Sequence, residues 1–353
     1  MSNPYNYNDP ITDPDLFIGR GNIINKIFSR IGAGRPQSVS LVGEYKIGKT
    51  SLLNYIKNKH IQEQYFSKPG DYCCIFFPVR DHADSVDAFI DNLCSAVSSD
   101  TGINYVHRSV SECYNWFKDT AESLTKSDRK LILLLDDFNL VTQNNEFPLD
   151  FFSFLRSMAN NYNVAYVTTS YLDLQQLCVS KDIEESPFFN IFTNITLKAF
   201  DSDELNEFIA KISVNGNEWF KGYIKLIMEY TGNFPFLLQS AGSLLSDLAK
   251  KHNDKTTLEK MFKENFIINM QKHFLQIWDH LSEHQQKILE TLAKSKKVNP
   301  ARKYLLQELE QKQLIYLNKR KYYFFSTAFR EFILKKQQLK KPFILRIKKF
   351  FFN

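Results

Sequence analysis

The sequence contains no long run of uncharged apolar residues. Its strongly apolar stretches are short, such as residues 131 to 135, whereas a membrane-spanning helix needs roughly 18 such residues. The N-terminal segment MSNPYNYNDPITDPDLF has neither the basic nor the apolar region of a secretory signal. We therefore expect a cytoplasmic protein without a membrane span.

Cysteine is sparse and irregularly spaced. No Cys-x-x-Cys pair occurs, and an odd number of cysteines favours reduced, buried thiols over a disulfide framework or a zinc site. His280 and His284 have a metal-like spacing, but Ser282 is expected to begin a helix between them, so the two imidazoles would not share a face. The five cysteines are Cys73, Cys74, Cys94, Cys113 and Cys178.

Positive charge is concentrated at one end of the chain. The formal net charge is +6, yet residues 301 to 353 hold 14 Lys/Arg against 3 Asp/Glu, which is +11. The remaining 31 Lys/Arg and 36 Asp/Glu give residues 1 to 300 a net charge of −5. Any attraction to a polyanion should therefore reside in the C-terminal part.

Residues 38 to 56, SVSLVGEYKIGKTSLLNYI, contain the most informative pattern. β-forming residues lead into Gly-x-x-x-x-Gly-Lys-Thr and then into a helical pattern, which is typical of a loop that binds phosphates through backbone N–H groups. Both glycines would let the backbone turn, Lys49 would contact the β- and γ-phosphates, and Thr50 would bind Mg²⁺. The predicted nucleotide-binding residues are Gly43, Glu44, Tyr45, Lys46, Ile47, Gly48, Lys49, Thr50 and Ser51.

A second apolar strand, residues 131 to 137, ends in two acidic residues. We predict that it lies directly beside the strand of the phosphate loop, with Asp136 holding Mg²⁺ together with Thr50. Asp137 would act as the general base on the attacking water. Thr169, at the end of the next strand, would contact the γ-phosphate or that water. The alternative is a core strand whose acidic residues are only solvated.

The order of patterns predicts an α/β fold. A parallel P-loop NTPase sheet sandwiched by helices would be followed by an all-α lid and a winged-helix domain. Single helices are expected from about 50 to 64 and from 256 to 275, and two capping boxes, at Asp201/Glu204 and Ser282/Gln285, mark helix starts. The predicted domains are a flexible lead-in (1–14), an ATPase core (15–200), a helical lid (201–276), a winged-helix domain (277–340) and a basic, aromatic tail (341–353).

These motifs resemble the STAND clade of P-loop ATPases, which is related to AAA+ proteins and origin-recognition initiators. The resemblance covers about residues 15 to 335 and rests on the phosphate loop, LLLDDF, FIGR at 17 to 20, SPFFNIFTNITL, and TGNFPFLLQ at 231 to 239. It implies ATP and Mg²⁺ as ligands, and it implies that Pro235 of the lid contacts the base. It also implies that the adenine and ribose are bound by Phe17, Ile18, Gly19 and Arg20.

The chain departs from the pattern of this clade at two places. Gly21, Asn22 and Ile23 stand where members usually carry an acid after Gly-Arg, and Asp137 stands where many active members have Glu. Aspartate is one methylene shorter, so the resemblance implies slow hydrolysis. The first predicted function is an ATP-binding switch in bacterial stress or antiviral signalling, with self-association and a protein partner or separately encoded effector.

The basic C-terminal end leaves two alternatives open. A DNA-binding ATPase would use the turn residues Lys319, Arg320 and Lys321 and the basic tail. A membrane-surface adaptor would use residues 335 to 353. The candidate recognition helix at 301 to 312 carries Glu308 and Glu310, which would face phosphates unfavourably and favours a regulatory role for the winged helix.

Overall fold

A computed structural model describes residue 5 and residues 9–107, 109–213, 218–252 and 254–336. Residue contacts divide the chain into two compact units. The N-terminal unit comprises Pro10–Glu44 and Gly48–Leu197. The C-terminal unit comprises the described residues from Lys198 onward, together with Tyr45–Ile47, Tyr5 and Asp9. The predicted tail at 341–353 lies outside the described residues.

The N-terminal unit is built on a five-stranded sheet in the order β2-β3-β4-β1-β5, and all of its strand pairs are parallel. The predicted direct pairing of the Asp136 strand with the phosphate-loop strand is therefore wrong, because β4 lies between them. Residues 131 to 135 of β3 are a continuous apolar run because both faces of the sheet are buried there. The strands are β1 (Ser38–Val42), β2 (Tyr72–Pro78), β3 (Lys130–Asp136), β4 (Val164–Ser170) and β5 (Phe192–Thr196).

Helices connect these strands as the alternating pattern predicts, with one correction. The helix expected from about 50 to 64 is interrupted at Asn58, which leaves the helical conformation and accepts a hydrogen bond from the backbone N–H of Ile61, so that it caps a second helix. The helices of this unit are α1 (Gly21–Ile31), α2 (Lys49–Lys57), α3 (Lys59–Tyr65), α4 (Val86–Thr101), α5 (Val110–Lys126), α6 (Asn139–Thr142), α7 (Leu149–Asn161) and α8 (Lys181–Glu184).

The core on one side of the sheet is rich in phenylalanine. Phe89, Phe147 and Phe151 are buried and meet edge to face, with ring centroids 5.0 to 5.7 Å apart. Such pairs add to the free energy gained by burying apolar surface. They pack α4 against α7 and against the segment that precedes α7.

The described elements of the C-terminal unit up to residue 311 are helices. Hydrogen bonds between Asp201 and Glu204 and between Ser282 and Gln285 confirm both capping boxes. The segment predicted as a single helix at 256 to 275 is instead two helices that meet at Met270, whose ψ of 0° departs from the helical value while its backbone N–H still bonds to the Phe266 carbonyl. The helices are α9 (Ser202–Ser213), α10 (Ile224–Thr231), α11 (Pro235–Ala249), α12 (Lys255–Asn269), α13 (Gln271–Asp279), α14 (Glu283–Ala293) and α15 (Lys303–Gln311).

The chain then forms an antiparallel pair, β6 (Ile315–Asn318) and β7 (Lys321–Phe324), followed by helical residues 327 to 336. This is the order of elements expected for the predicted winged-helix segment. Within the described ranges, no helix combines the length and the apolar content that crossing a membrane requires.

Candidate functional site

The phosphate loop follows β1 directly and ends where α2 begins. The backbone N–H of Gly43 donates to the Ser170 carbonyl, which ties the start of the loop to β4. Two loop residues adopt left-handed backbone conformations, Lys46 (φ 62°) and Gly48 (φ 102°). Gly48 adopts a positive φ that favours glycine, as the sequence pattern predicts. Gly43 does not have a positive φ, so the second sharp turn lies at Lys46 instead.

Lys49 is the first residue of α2, and its side chain folds back over the loop. Its ammonium donates to the carbonyls of Gly43 (2.8 Å) and Glu44 (3.1 Å), and the residue is only 8% exposed. Burial lowers the pKa of Lys49, and the nearby carboxylates of Glu44, Asp137 and Asp136 oppose that shift. The positive charge is therefore held at the mouth of the loop, where an anion would be bound.

Asp136 connects α2 with β4. Its Oδ2 accepts a 2.8 Å hydrogen bond from the Thr50 hydroxyl, and its Oδ1 accepts a 2.7 Å hydrogen bond from the Thr169 hydroxyl. Burial raises the pKa of Asp136, whereas the two hydroxyl donors and the Lys49 ammonium favour the carboxylate. A hydroxyl and a carboxylate within hydrogen-bond distance are oxygen ligands that suit Mg²⁺. The two predicted metal ligands are thus adjacent, although β1, which leads into α2, does not pair with β3.

Thr169 lies at the end of β4, as predicted, and the predicted contact of its side chain with the γ-phosphate or the attacking water stays a prediction. Its hydroxyl donates to Asp136 and accepts a 2.7 Å hydrogen bond from the backbone N–H of Asp137. The single hydroxyl proton is therefore used on a carboxylate, and the side chain is fully buried. Thr169 positions both acidic residues, which is a role the sequence analysis missed.

Asp137 follows β3 in a left-handed conformation (φ 58°). Its carboxylate accepts a 2.9 Å hydrogen bond from the guanidinium of Arg80, and the Asp137 and Arg80 side chains are 30% and 63% exposed. Arg80 lies just beyond β2, and the register pairs Pro78 of that strand with Asp136. Arg80 was not predicted because the neighbour of β3 cannot be read from the local sequence. The local signal for Arg80 is a basic residue two positions after the end of the apolar strand β2.

The segment Phe17–Arg20 forms the turn into α1. Gly19 (φ 72°) and Arg20 (φ 67°) are both left-handed, and Ile18 and Arg20 are buried. The Phe17 ring packs on Tyr55 of α2 at 4.7 Å. These contacts attach the segment to the helix that follows the phosphate loop. The predicted adenine and ribose contacts of these residues stay a prediction.

The sequence profile of the family described as Novel STAND NTPase 2 matches residues 33–298, which is more than half of the chain. The chain belongs to this family. The resemblance to STAND ATPases predicted from the sequence is thereby confirmed. No curated protein matches the chain.

Solved structures with little sequence identity share the fold of this STAND NTPase. A Walker-type ATPase of Pyrococcus abyssi superposes with a TM-score of 0.64 at 16% identity, covering 92% of this chain and 98% of that chain. The ORC2 protein of Aeropyrum pernix, solved as ADPNP–ADP complexes, gives a TM-score of 0.58 at 13% identity and covers 93% and 98%. Drosophila ORC bound to DNA gives 0.53 at 11% identity and covers 93% and 88%.

The segment TGNFPFLLQ at 231 to 239, which was predicted to be a lid motif, has a structural role of its own. Gly232 (φ 60°) ends α10, and a Cβ at this position would lie 2.7 Å from the carbonyl carbon of Phe325. Pro235 is the first residue of α11, where a missing backbone N–H costs nothing. Both residue types are explained by the local fold, and the predicted contact between Pro235 and a nucleotide base stays a prediction.

Proposed function

We propose that this STAND NTPase is a cytoplasmic molecular switch that binds ATP with Mg²⁺ and hydrolyses it slowly. The observation that carries the proposal is the continuous hydrogen-bonded chain Thr50–Asp136–Thr169–Asp137 beside Lys49. It gathers a hydroxyl, two carboxylates and a buried ammonium at the carboxyl ends of parallel strands, where open α/β sheets bind ligands.

Each side chain then has one task. Lys49 uses two of its three donors on loop carbonyls, so the third is available for a phosphate oxygen. Thr50 and Asp136 would hold Mg²⁺, which neutralises charge on the β- and γ-phosphates when it is bound. Asp137 would accept the proton of the attacking water.

Slow turnover follows from the state of Asp137. Its carboxylate is bound by the guanidinium of Arg80 (2.9 Å), and this contact must be broken before the carboxylate can accept a proton from water. Its side chain is also one methylene shorter than glutamate. We therefore propose that the bound nucleotide persists long enough to bias the arrangement of the domains and the binding of partners.

The decisive experiment measures binding of Mg²⁺-ATP and Mg²⁺-ADP by calorimetry. Lys49→Ala should weaken ATP binding at least about tenfold, because a charge-assisted contact to phosphate is lost. Lys118→Ala is the matched control, since Lys118 is exposed on α5 in the same unit. Equal ATP affinity for wild type and Lys49→Ala would overturn the proposed function.

The role in signalling is part of the same proposal. We expect the ATP-bound and ADP-bound forms to differ in self-association or in binding to a separately encoded effector, in bacterial stress or antiviral responses. Light scattering of the full chain with each nucleotide tests the first possibility. If the chain has the same mass with ATP and with ADP at all concentrations, nucleotide-dependent self-association is excluded, and binding to a separate effector is the possibility that stays.

A second candidate function is a DNA-binding ATPase. Lys319, Arg320 and Lys321 are exposed at the β6–β7 turn, next to the stacked and exposed rings of Tyr316 and Tyr323. Basic and aromatic side chains together suit contact with nucleic acid, and one structural relative is solved as a complex with DNA.

The test of this candidate is salt-dependent binding to duplex and single-stranded DNA. Replacing Lys319, Arg320 and Lys321 by Gln should reduce both the affinity and its dependence on salt. The matched control replaces the exposed lysines Lys294, Lys296 and Lys297 of the same unit. The absence of binding to either DNA at low salt would reject this function.

A further inference from the structure

β5 is an edge strand of the five-stranded sheet. It pairs with β1 on one side, and no strand in the described part of the chain pairs with its other side. The backbone N–H of Leu197 donates to the Val42 carbonyl of β1, so the odd-numbered residues of β5 direct their backbone groups toward β1. The even-numbered residues Phe192, Asn194 and Thr196 therefore direct theirs away from the sheet.

Most of these outward backbone groups have no hydrogen-bond partner among the described residues. The N–H groups of Asn194 and Thr196 donate to none of them, and their carbonyls accept from none. The N–H of Phe192 is already used, since it donates to the Phe189 carbonyl. Asn194 and Thr196 are both exposed. A strand edge in this state is a template for pairing with another strand.

The opposite edge of the sheet is built differently. β2 is largely buried, its Phe77 ring packs edge to face on Phe89 of α4 at 5.1 Å, and the strand ends at Pro78. Burial and proline are two ways in which proteins prevent an edge strand from pairing with another chain, and charged side chains are a third. The sequence of β5, FTNIT, contains neither proline nor a charged side chain. β5 therefore lacks the protection that β2 has.

The strand is also complementary to a second copy of itself. With a two-fold axis at Asn194, an antiparallel pair places Asn194 opposite its own copy and Phe192 opposite Thr196. The N–H and carbonyl of Asn194 then bond with those of the other copy, and the Thr196 N–H bonds to the Phe192 carbonyl. The pairing uses outward groups that lack a partner, and it places no like charges opposite each other.

We propose that β5 is a self-association surface, through which two copies of this chain continue the sheet as an antiparallel pair. The expected complex is a closed two-fold dimer, because the pairing uses the free edge of both copies. A single pair of short strands is a small contact, so the dimer should form at high protein concentration. The inference goes beyond the proposed function, because this pairing requires no nucleotide.

Analytical ultracentrifugation of the full chain without nucleotide tests the pairing. Wild type should shift reversibly from monomer to dimer as its concentration rises. Asn194→Pro removes an N–H that takes no part in the pairing with β1, and it should weaken dimerisation at least about fivefold. Asn194→Ala is the matched control, because both variants lose the side-chain contact with Asp173 but only alanine keeps the N–H.

Two results of this experiment would overturn the proposal. One is a wild-type chain that stays monomeric at every concentration. The other is equal dimerisation of Asn194→Pro and Asn194→Ala, because the outward N–H would then play no part in the contact.

Residue-resolved hydrogen exchange examines the same edge without a substitution in β5. The amides of Asn194 and Thr196 should exchange more slowly as the protein concentration rises, whereas the Leu197 amide, which is bonded to Val42, should not change. Lys49→Ala should show the same concentration dependence, so that loss of ATP binding and loss of pairing are distinguishable. Should Asn194→Pro fail to fold, exchange at Asn194 and Thr196 that does not depend on concentration would still overturn the proposal.

Discussion

The guanidinium of Arg80 lies 2.9 Å from the carboxylate of Asp137. Asp137 is thereby held by two neighbouring strands, because its backbone N–H is bound to Thr169 of β4 while its side chain is bound beyond β2. An ion pair that is this exposed is weak and can be exchanged for another partner. It therefore suits a residue that must be released before it can accept a proton.

Removing Arg80 should speed hydrolysis. An exposed ion pair stabilises by about 0.2 to 1 kcal/mol, which corresponds to at most about a fivefold change in rate. We expect Arg80→Gln to raise ATP turnover by a factor in that range, measured as phosphate release at saturating ATP. Arg35→Gln, at an exposed site in the same unit, is the control. A tenfold loss of turnover in Arg80→Gln would instead mean that Arg80 contacts the phosphate during hydrolysis and does not hold back Asp137.

Changes at Asp137 should separate chemistry from binding. Asp137→Asn removes the base and should lower turnover at least about 100-fold, with ATP affinity retained. Asp137→Glu extends the carboxylate by one methylene and should raise turnover. Both rates are measured with ATP affinity as the internal control. If Asp137→Asn hydrolyses ATP like wild type, the base is another residue.

Thr169 should act through the two acidic residues it orients. Thr169→Ala removes both of its hydrogen bonds and should weaken Mg²⁺-dependent ATP binding and turnover about 10- to 100-fold, as loss of an outer-shell partner does. Thr169→Ser keeps the hydroxyl and should restore most of the loss. Thr196→Ala, exposed on β5, is the control. If Thr169→Ser loses as much ATP binding and turnover as Thr169→Ala, the methyl group of Thr169 is required rather than its hydroxyl.

Gly232 should be intolerant of a side chain. Its left-handed conformation and the proximity of the Phe325 backbone predict that Gly232→Ala costs about 2 to 5 kcal/mol of unfolding free energy. Denaturant unfolding measures this cost. Gly34→Ala, where an added methyl group meets nothing, should change stability by less than about 1 kcal/mol. Similar losses of unfolding free energy for both variants would contradict this account of the turn at Gly232.

His273 should make the C-terminal unit sensitive to acid. Its ring is buried near Phe234, Phe236 and Phe274, and neither ring nitrogen has a hydrogen-bond partner among the described residues. Burial lowers the pKa of His273 from 6.5 to about 3. The unfolded chain therefore binds a proton that the folded chain does not, so stability is lost as the pH falls below about 6.5.

Between pH 7 and pH 5 this difference amounts to about 2 kcal/mol of unfolding free energy. His273→Leu should remove that part of the pH dependence, as measured by denaturant unfolding at both values. His60→Gln is the control, since the side chain of His60 is 77% exposed. An unchanged pH dependence in His273→Leu would mean that His273 titrates normally in the folded protein.

The local sequence determined the pieces of this molecule. Residues 38 to 50 specify a strand, a turn that needs glycine at Gly48 and a helix start at Lys49, because periodicity and backbone preference act over a few residues. The Leu-rich strand that ends at Asp136 and the capping boxes are local in the same sense. The positions predicted for this strand and for the two capping boxes agree with the structure.

Only the tertiary structure decided how the pieces meet. The insertion of β4 between β1 and β3 brings Thr169 between Asp136 and Asp137, and the pairing of β2 with β3 brings in Arg80. The contact of Tyr5 with Gly242 likewise joins residues more than two hundred positions apart. No local pattern encodes such neighbours, because strand order and long-range contacts are fixed by the packing of helices on both faces of the sheet.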